Sequence, residues 1–487
     1  MQKFDCVIVG FGPVGALLSL FLSRLQLKVA IIDKNIDIYP LPRAIHFDQE
    51  VMRIFQMIGL NEKVSSISRV GTRGMHFVDD NYNTLMEREG SPEIGDQGWP
   101  KSWYFHQPDL EKVLRNEVKK NKNITPFLGY QVISVDQSSE TVSLKGKGKK
   151  SQEVLRLIGS ILIGCDGANS IVANYISNEH INYGFEEKYL VIDVKVDNRF
   201  KKIKKLPDYT VQKCSSKRPV TRCYISKKRR RWEIKILSTD VENEMKKEKQ
   251  IWSFLSEWID KKCAVIERAE IYTFKSKISK KWIKDRVIIA GDSAHLSPPF
   301  LGQGMCAGMR DVSSLSWRLK SILSGKFRLS PLLAYQNERL SHVSEFIQLA
   351  VDCGKIMSDP DIILKSNKKD KGELFDFPRP KLATQLNSEC QLSGNLLPQF
   401  LEKGVRTDDK LGYRFVLICL KKIEPIFNEA KKKSIHTIVA TGKIKDWISG
   451  FNKIALLVRP DKYILGSAIN NKDLSRLLKD FSHFESN

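Results

Sequence analysis

Short apolar runs that end in glycine or aspartate organise the amino-terminal part of the chain. Residues 5–10 (DCVIVG) predict a buried strand, residues 16–25 (ALLSLFLSRL) have the apolar spacing of a helix, and residues 28–33 (KVAIID) predict a second buried strand. Two later apolar runs, 157–167 (LIGSILIGCDG) and 287–292 (VIIAGD), end in the same residue types. This pattern indicates an α/β domain whose buried strands end at polar turns.

The middle of the chain changes to an alternation of apolar and polar positions, as in residues 189–196 (YLVIDVKV) and 230–237 (RRWEIKIL). Alternation of this kind is typical of half-buried strands. A polar, proline-containing stretch at 356–380 reads as a linker. We predict a discontinuous first domain (1–178 and 281–355), a β-rich inserted domain (179–280, with 76–99 belonging to it) and a carboxyl-terminal domain (381–487).

The turn between the first strand and the helix carries the spacing GxGxxG at Gly10, Gly12 and Gly15. In a dinucleotide-binding fold the first glycine permits the tight turn, the second lets a pyrophosphate approach the backbone, and the third lets the helix pack on the strand. Asp33 lies at the end of the second strand, where an acid accepts hydrogen bonds from an adenosine ribose. Because strands flank the glycine turn and the helix, the sequence predicts a Rossmann-like dinucleotide-binding site here.

Two further strand ends add polar groups to this site. Asp166-Gly167 and Asp292 each follow an apolar strand, and an aspartate there can bind ribityl or ribose hydroxyls. A glycine-rich turn then opens a long helix near Gly302, so the backbone N–H groups of residues 302–305 can face an anion. A reduced flavin carries such negative charge on its pyrimidine side. Each Asp-Gly or Gly-Asp pair alone favours an ordinary turn, but three strand-end elements in this order favour a binding site.

Residues 6–23 carry no formal charge, which a membrane span or signal peptide would also show. Glycines and a proline interrupt this stretch, and it lacks a basic amino-terminal region and a small-residue cleavage site. A buried strand, a glycine turn and a buried helix explain the apolarity, so we predict no membrane span. Nine cysteines without a CxxC pair indicate a reducing compartment, and we expect a cytoplasmic protein.

The formal net charge is +24, and the basic clusters are scattered along the chain. No zinc-finger, RRM or helix-turn-helix signature accompanies them, so nucleic acid is not an expected partner. Solvated surface is one interpretation, and electrostatic steering of anionic ligands is the other. No metal-ligand pattern is present in the sequence.

Almost the whole chain resembles the FAD-dependent aromatic hydroxylases of the para-hydroxybenzoate hydroxylase type, and within them most the 3-(3-hydroxyphenyl)propionate hydroxylases. Besides the three strand-end motifs, the likeness extends over residues 39–60 (YPLPRAIHFDQEVMRIFQMIGL), 104–114 (YFHQPDLEKVL), 183–196 (YGFEEKYLVIDVKV) and 456–466 (LLVRPDKYILG). The resemblance implies that the discontinuous domain binds FAD, that the β-rich domain binds substrate and that 381–487 is thioredoxin-like. Without a CxxC pair, packing or homodimer formation is the role expected of that last domain.

The resemblance also implies roles for individual residues. Gly10, Gly12, Gly15 and Asp33 would hold the ADP half of FAD, while Arg43 and Gln107 would touch its phosphate and ribityl region. Asp166 and Gly167 would lie near the pyrophosphate and the path of the transient NADH or NADPH, and Asp292 would bind the ribityl chain. The isoalloxazine would be lined by Pro298, Gly302, Gln303, Gly304 and Met305.

The chemistry implied is hydroxylation of a phenolic ring, ortho to its hydroxyl, with O2 and NAD(P)H through a C4a-hydroperoxyflavin. Substrate activation needs a base or hydrogen-bond acceptor, and His46 and Asp48 are the candidates, with Pro298 at the reaction centre. A buried structural histidine and a helix N-cap are the alternatives for His46 and Asp48. His295 is expected to support the flavin loop.

The substrate itself is expected to be an aromatic acid such as a hydroxyphenylpropionate, with Arg218 and Tyr224 orienting its carboxylate. Three positions depart from the family pattern: Ser314 replaces a frequent asparagine, Ala173 a frequent arginine and Ser293 a common alanine, the last a small change of size. The rival hypotheses are a polyketide- or quinone-type ring hydroxylase of the same fold, a flavin oxidoreductase without oxygen insertion, and a non-catalytic flavoprotein with a basic binding surface.

Overall fold

The structure is a computed structural model that describes residues 3–40, 43–88, 90–325, 329–365, 380–383 and 391–486. Most of the stretch expected to be a linker, 366–379, lies outside the described residues. Its first residues, Ile356 to Ser358, end a long helix.

The strands are, in chain order, β1 (Lys3–Val9), β2 (Val29–Asp33), β3 (His46–Asp48), β4 (Ser68–Val70), β5 (Met75–Val78), β6 (Thr84–Arg88), β7 (Ser102–Phe105), β8 (Ile124–Leu128), β9 (Tyr130–Gln137), β10 (Val142–Gly148), β11 (Val154–Gly164), β12 (His180–Val196), β13 (Thr210–Lys213), β14 (Val220–Ser226), β15 (Arg229–Lys235), β16 (Ala264–Ser279), β17 (Ile283–Lys284), β18 (Val287–Ile289), β19 (His295–Leu296), β20 (Leu401–Glu402), β21 (Val405–Arg406), β22 (Val416–Cys419), β23 (His436–Val439), β24 (Ala455–Val458) and β25 (Ile464–Ala468).

The α-helices are α1 (Pro13–Arg24), α2 (Gln49–Met57), α3 (Asn61–Ser66), α4 (Gln107–Lys119), α5 (Ile171–Ile176), α6 (Lys201–Lys204), α7 (Glu242–Met245), α8 (Glu248–Leu255), α9 (Gly304–Leu323), α10 (Pro331–Ser358), α11 (Asp361–Leu364), α12 (Thr407–Leu411), α13 (Glu424–Lys432), α14 (Lys443–Gly450) and α15 (Asn471–Ser486).

The first sheet holds the apolar runs identified from the sequence. Its main path is β17-β18-β11-β1-β2-β8, in which β18, β11, β1, β2 and β8 run parallel. These strands are buried because helices pack against the sheet, which explains why they read as continuous apolar runs rather than alternating ones. The carboxyl ends of β1, β2 and β11 therefore lie at one edge, where Gly10, Asp33 and Asp166 follow.

The uncharged stretch 6–23 splits into strand β1 and helix α1. Gly12 precedes the helix in an extended conformation, and Pro13 occupies its first turn, where a missing N–H has no intrahelical partner to lose. Among the described residues, none of the helices combines the length and apolarity needed to cross a bilayer.

The second sheet has the order β19-β16-β12-β15-β14-β13-β5-β6. One face packs its apolar side chains, including Trp232 and Ile234 of β15, against α8 residues such as Leu255. The alternate residues of β15, Arg231 and Glu233, are buried on the other face, towards the first domain. Strands β5 and β6, from 75–88, lie in this sheet, together with the strands of 179–280.

The carboxyl-terminal segment forms a four-stranded sheet, β23-β22-β24-β25, with β23 parallel to β22 and the other pairs antiparallel. Helix α9 of the first domain packs against this segment: the Trp317 and Phe415 rings lie 5.2 Å apart, and the Tyr413 hydroxyl donates to the Ser313 carbonyl at 2.5 Å. The contact joins the third segment to the helix that begins at Gly304.

Candidate functional site

One large cavity of ≈ 1290 Å³ lies between the first sheet's strand ends and the inner face of the second sheet. Most of the predicted site residues line it: Gly12, Arg43, His46, Asp48, Gln107, Gly167, Asp292, Pro298, Gly302, Gln303, Gly304 and Met305. Segments far apart in the chain thus meet at one place, as the three strand-end motifs predicted.

The three glycines of the GxGxxG turn have different surroundings. At Gly10 (φ +104°) an added Cβ would lie 2.3 Å from the Cys165 carbonyl oxygen, and at Gly15 it would lie 2.0 Å from the Gly10 carbonyl oxygen. At Gly12 an added Cβ would meet nothing within 4 Å. The protein itself requires Gly10 and Gly15, whereas Gly12 leaves open space at the amino terminus of α1, where an anion is favoured.

Asp33 ends strand β2 beside this turn. Its carboxylate accepts from the Phe11 N–H and the Asn35 N–H, both at 2.7 Å. The aspartate therefore shapes the glycine turn as well as presenting negative charge at the strand end.

Gln107 fixes the loop that carries Arg43. Its Oε1 accepts from the backbone N–H groups of Arg43 at 3.0 Å and Ala44 at 2.7 Å, and its Nε2 donates to Glu111 at 2.8 Å. The Arg43 carbonyl also accepts from Arg231 Nη1 at 2.7 Å. The exposed Arg43 guanidinium is thus presented at the cavity by a loop that is held from two sides.

Ser293 joins two of the strand ends. Its hydroxyl donates to Asp166 Oδ1 at 3.1 Å and accepts from the Gly167 N–H at 3.0 Å. Asp166 also accepts from Ser170 and from the Ile171 N–H, at the start of α5. The serine expected to be a small change of size is therefore a hydrogen-bonding link that an alanine could not make, and it places Asp292 next to Gly167.

The turn before α9 is held by an ionic cluster. Gly302 has φ +63°, and an added Cβ would lie 2.8 Å from His46 Nδ1. Arg310 donates to Gln303 Oε1 at 2.9 Å, to Glu50 Oε2 at 2.5 Å and to Asp48 Oδ2. Gln303 is thus tied through Arg310 of α9 to Asp48 and Glu50 at the start of α2.

Asp48 is an N-cap, the alternative interpretation for this residue. Its Oδ1 accepts from the N–H groups of Glu50 and Val51, both at 3.1 Å, at the start of α2, and its other oxygen pairs with Arg310. Because both oxygens are engaged, the geometry supports Asp48 as a structural anchor rather than as a base.

His46 lines the cavity opposite Gly302. Its Nε2 lies 2.9 Å from Ser102 Oγ, and its ring meets Tyr104 edge-on with centroids 5.4 Å apart. Desolvation by burial lowers the pKa of His46 to about 4, so the imidazole is neutral near pH 7. Ser102 is its side-chain partner, and a hydrogen bond with the Gly302 backbone opposes the fall in the pKa.

His295 contacts Asp311, which holds the backbone before Asp292. His295 Nε2 lies 2.7 Å from Asp311 Oδ2, which also accepts from the Gly291 N–H at 2.9 Å. Arg339 donates to the other carboxylate oxygen at 2.8 Å. Burial alone would raise the pKa of Asp311, but His295 and Arg339 hold it at about 2, so a fixed anion anchors the Gly291-Asp292 turn.

The two residues expected to bind a substrate carboxylate are not among those lining the cavity. Arg218 makes a two-pronged ion pair with Asp240, at 2.6 and 2.9 Å, and lies over the Phe254 ring. Tyr224 is stacked between the guanidinium groups of Arg69 and Arg230, at 4.1 and 4.0 Å. Both side chains are therefore engaged by other residues of the protein. The alternation of apolar and polar residues predicts strands, but it does not show which face of the sheet meets the cavity.

The inner face of the second sheet supplies polar residues that the sequence did not single out. Tyr104 and Thr210 hydroxyls lie 2.7 Å apart, and Thr221 donates to Gln212. The remaining cavity-facing residues of this wall include Val191, Cys223, Arg231, Glu233, Arg268, Tyr272 and Phe274. A signal existed in the alternation of RRWEIKIL, whose apolar residues had to face one way and whose Arg231 and Glu233 the other.

The other two departures lie within helices. Ser314 Oγ accepts from Arg318 at 2.6 Å inside α9, and Ala173 is buried in α5.

The surroundings of the cavity fit a dinucleotide: free space at a helix amino terminus, carboxylates at strand ends and a second helix amino terminus across the cavity. Within the described residues there is no cluster of His, Cys, Asp and Glu that could hold a metal ion.

Comparison with known proteins places these features among flavoproteins. A family model described as FAD binding domain matches residues 3–350. A probable NADH-specific resorcinol 4-hydroxylase of Rhodococcus jostii (strain RHA1) is 29% identical, with 98% of this chain and 94% of that protein aligned. A 3-(3-hydroxy-phenyl)propionate/3-hydroxycinnamic acid hydroxylase of Burkholderia cenocepacia (strain HI2424) is 28% identical. The alignment covers 73% of this chain and 64% of that protein.

Solved structures share the fold over nearly the full chain. The flavin-dependent monooxygenase PieE, in complex with FAD and substrate, superposes with a TM-score of 0.82 at 16% identity, covering 99% of both chains. Aklavinone-11 hydroxylase, with FAD and aklavinone, gives 0.82 at 17% identity, covering 98% of this chain and 99% of that one. These likenesses confirm the predicted α/β fold class.

Proposed function

Because the chain belongs to the FAD-binding domain family, we propose that it hydroxylates a phenolic ring ortho to its hydroxyl, with O2 and NADH or NADPH as co-substrates. The family match confirms the predicted family and FAD as the cofactor. The named relatives are aromatic hydroxylases, which agrees with an FAD-dependent monooxygenase. Ring position and substrate are the parts we propose.

A single observation carries this proposal: the cavity is continuous from the dinucleotide-type strand ends to the inner wall of the second sheet. Gly12 and Asp292 line the cavity at the strand ends of the first sheet, and Pro298 and residues 302–305 line it before α9. Tyr272 and Phe274 line it on the second sheet. An aromatic ring bound against that wall would lie next to the groups that hold the flavin ring.

The residues of this chain divide the work of binding. Gly12 and the amino terminus of α1 would hold the pyrophosphate, Asp33 the adenosine ribose and Asp292 the ribityl chain. The N–H groups of residues 302–305 would face the pyrimidine side of the flavin, where negative charge is favoured by the helix terminus. FAD, when bound, supplies the electron acceptance and oxygen activation that side chains cannot.

Exclusion of water is the second requirement, because water at the site lets activated oxygen be lost as hydrogen peroxide before it reaches the substrate. The wall of the second sheet and the loop at 297–301, which includes the buried Phe300 and Leu301, line the cavity. The neutral imidazole of His46, bonded to Ser102, offers no charge to draw water in. Phe300, Leu301 and the neutral His46 are the groups that we expect to shield the reacting ring from water.

The substrate class is proposed from the side chains of the second sheet and of β7 that line the cavity. An aromatic acid needs a cation to pair with its carboxylate, and Arg218, the residue expected to do so, is paired with Asp240. Arg231 and Arg268, which do line the cavity, both pair with Asp193. Arg43, Arg88 and Lys101 also line the cavity, but the groups on β7, β13 and β14 that face it are neutral hydroxyls and an amide (Tyr104, Thr210, Gln212 and Thr221). This part of the wall suits an uncharged phenol.

The test begins with the purified full-length chain. Its absorption spectrum and the identity of the released flavin report on FAD. NADH and NADPH oxidation is then followed with resorcinol, 3-(3-hydroxyphenyl)propionate and a hydroxylated polycyclic quinone, with and without each compound. We expect at least one phenol to stimulate oxidation and to yield an equimolar product with a new hydroxyl ortho to the first. A flavoprotein that consumes NAD(P)H only to form hydrogen peroxide with every compound would contradict the proposal.

A further inference from the structure

Glu233 is a buried carboxylate of the cavity wall whose ion pair with Arg231 is long. It lies on β15, is 6% exposed and lines the cavity beside its cross-strand neighbours Thr221 and Val191. Burial of a carboxylate in this surrounding costs free energy unless the group is paired. The contact with Arg231 is long, at 3.6 Å from Nη1 to Oε1.

Arg231 has closer partners than Glu233. Its Nε donates to Asp193 Oδ1 at 2.7 Å and its Nη2 to Asp193 Oδ2 at 3.1 Å, and its Nη1 donates to the Arg43 carbonyl at 2.7 Å. Arg268 pairs with the same aspartate at 2.6 Å. The shortest contacts of both arginines are therefore made to other groups, and Glu233, which Arg231 also contacts, lines the cavity.

The charges that act on Glu233 lie on three strands of the second sheet. Asp193 is on β12, Arg231 on β15 and Arg268 on β16, so these groups together with Glu233 sum to zero. Desolvation by burial raises the pKa of the Glu233 carboxyl, although the two arginines oppose the shift. The other titratable groups that sense it are Cys223 and Tyr189, and both have pKa values raised by burial.

We propose that Glu233 is the proton acceptor for the substrate hydroxyl and the residue that selects uncharged phenols over aromatic acids. This inference rests on the proposed hydroxylase function. The O–H bond of the substrate breaks, its electron pair stays on the phenolic oxygen and the proton moves to a Glu233 oxygen. The phenolate then has the electron density needed at the ortho carbon, which receives one oxygen atom of O2 while NAD(P)H supplies the two electrons that reduce the other to water.

The selectivity follows from the same charge. A substrate carboxylate would be placed beside the Glu233 carboxylate, and two like charges in a buried site repel. Removing the charge of Glu233 leaves two arginines with one aspartate, a net positive wall. Glu233→Gln is therefore expected to bind an aromatic acid more tightly than the wild-type protein does.

The experiment compares Glu233→Gln and Glu233→Asp with wild type and with Glu187→Gln. Glu187 is on β12 in the same sheet, pairs with Lys235 at 2.6 Å and does not line the cavity, so its variant controls for loss of an ion pair. For each flavin-loaded protein, a difference spectrum records whether a bound phenol is ionised. Turnover of resorcinol is measured against pH, and binding of 3-(3-hydroxyphenyl)propionate is measured by titration of the flavin spectrum.

We expect Glu233→Gln to lower kcat for a neutral phenol by about 10²-fold, as for loss of a general base, with the phenolate band absent. Glu233→Asp should restore part of kcat and part of the phenolate band. 3-(3-Hydroxyphenyl)propionate should bind at least severalfold more tightly to Glu233→Gln than to the wild-type protein. Unchanged phenolate formation and an acid affinity that stays equal or falls would overturn the inference. A wild-type protein that hydroxylates no phenol would instead contradict the proposed function, so the two failures are distinguishable.

Discussion

At the scale of single residues, the glycine turn separates what folding needs from what binding needs. Gly10 and Gly15 each have a backbone carbonyl where a Cβ would be, at 2.3 and 2.0 Å. Gly12 faces empty space in an extended conformation that any residue can adopt. Its lack of a side chain therefore serves a ligand and not the protein.

A pair of alanine substitutions tests this separation. We expect Gly12→Ala to change the free energy of unfolding of the apoprotein by less than about 0.5 kcal/mol, since nothing is displaced. The same variant should bind FAD at least tenfold more weakly, because the methyl group fills the space for the pyrophosphate. Chemical denaturation and titration of the apoprotein with FAD measure the two effects.

Gly10→Ala is the matched control. It combines φ +104° with a backbone clash, so we expect destabilisation of more than about 2 kcal/mol. Equal loss of stability in both variants would show that Gly12, too, is a folding requirement.

His46 makes a second residue-level prediction, concerning pH. Its folded pKa of about 4 is below the ordinary 6.5, so only the unfolded chain takes up a proton between these values. Stability from this group is therefore complete above pH 6.5 and is lost as the pH falls towards 4. We expect the loss between pH 7.5 and pH 5 to be about 1–2 kcal/mol larger in the wild-type protein than in His46→Gln. Urea midpoints at the two pH values, measured without ligand, give the comparison; identical losses would contradict the pKa.

At the scale of elements, the sequence predicted best where one segment determines its own structure. Strand β1, the turn at Gly10 and helix α1 were readable because apolar periodicity and glycine spacing are local properties. The ends of β11 and β18 were readable for the same reason. Asp48 was readable as an N-cap because α2 follows it directly.

The roles of residues that depend on distant partners could not be predicted from the sequence. The alternation in β14 and β15 predicts strands but does not say which face meets the cavity, so Arg218 and Tyr224 were assigned to the substrate and Glu233 was overlooked. Ser293 was taken as a change of size because its partners, Asp166 and Gly167, lie more than a hundred residues earlier. Tertiary pairing, and not propensity, decides such positions.

At the scale of the whole molecule, buried ion pairs connect the carboxyl-terminal segment to the cofactor side of the cavity. Arg53 pairs with Asp408 at 2.7 Å, and Arg459 pairs with Glu338 at 2.9 Å. The Tyr463 hydroxyl donates to Glu50 Oε1 at 3.1 Å, and the other oxygen of Glu50 accepts from Arg310. Through Arg310 this chain of contacts reaches Gln303, so the third segment helps to hold residues 302–305 in place.

Removal of one hydroxyl tests that connection. In Tyr463→Phe the Glu50 carboxylate loses a donor while the ring stays in the core, so the position of Arg310 is less constrained. We expect a loss of about 1–2 kcal/mol in the free energy of unfolding, as for a hydrogen bond to a charged group, and FAD binding weakened severalfold. Tyr413→Phe is the control, because its hydroxyl also joins the third segment to α9 but ends on the Ser313 carbonyl, away from the turn. It should lose similar stability yet keep wild-type FAD affinity; if both variants weaken FAD binding equally, the segment acts through general stability and not through Arg310.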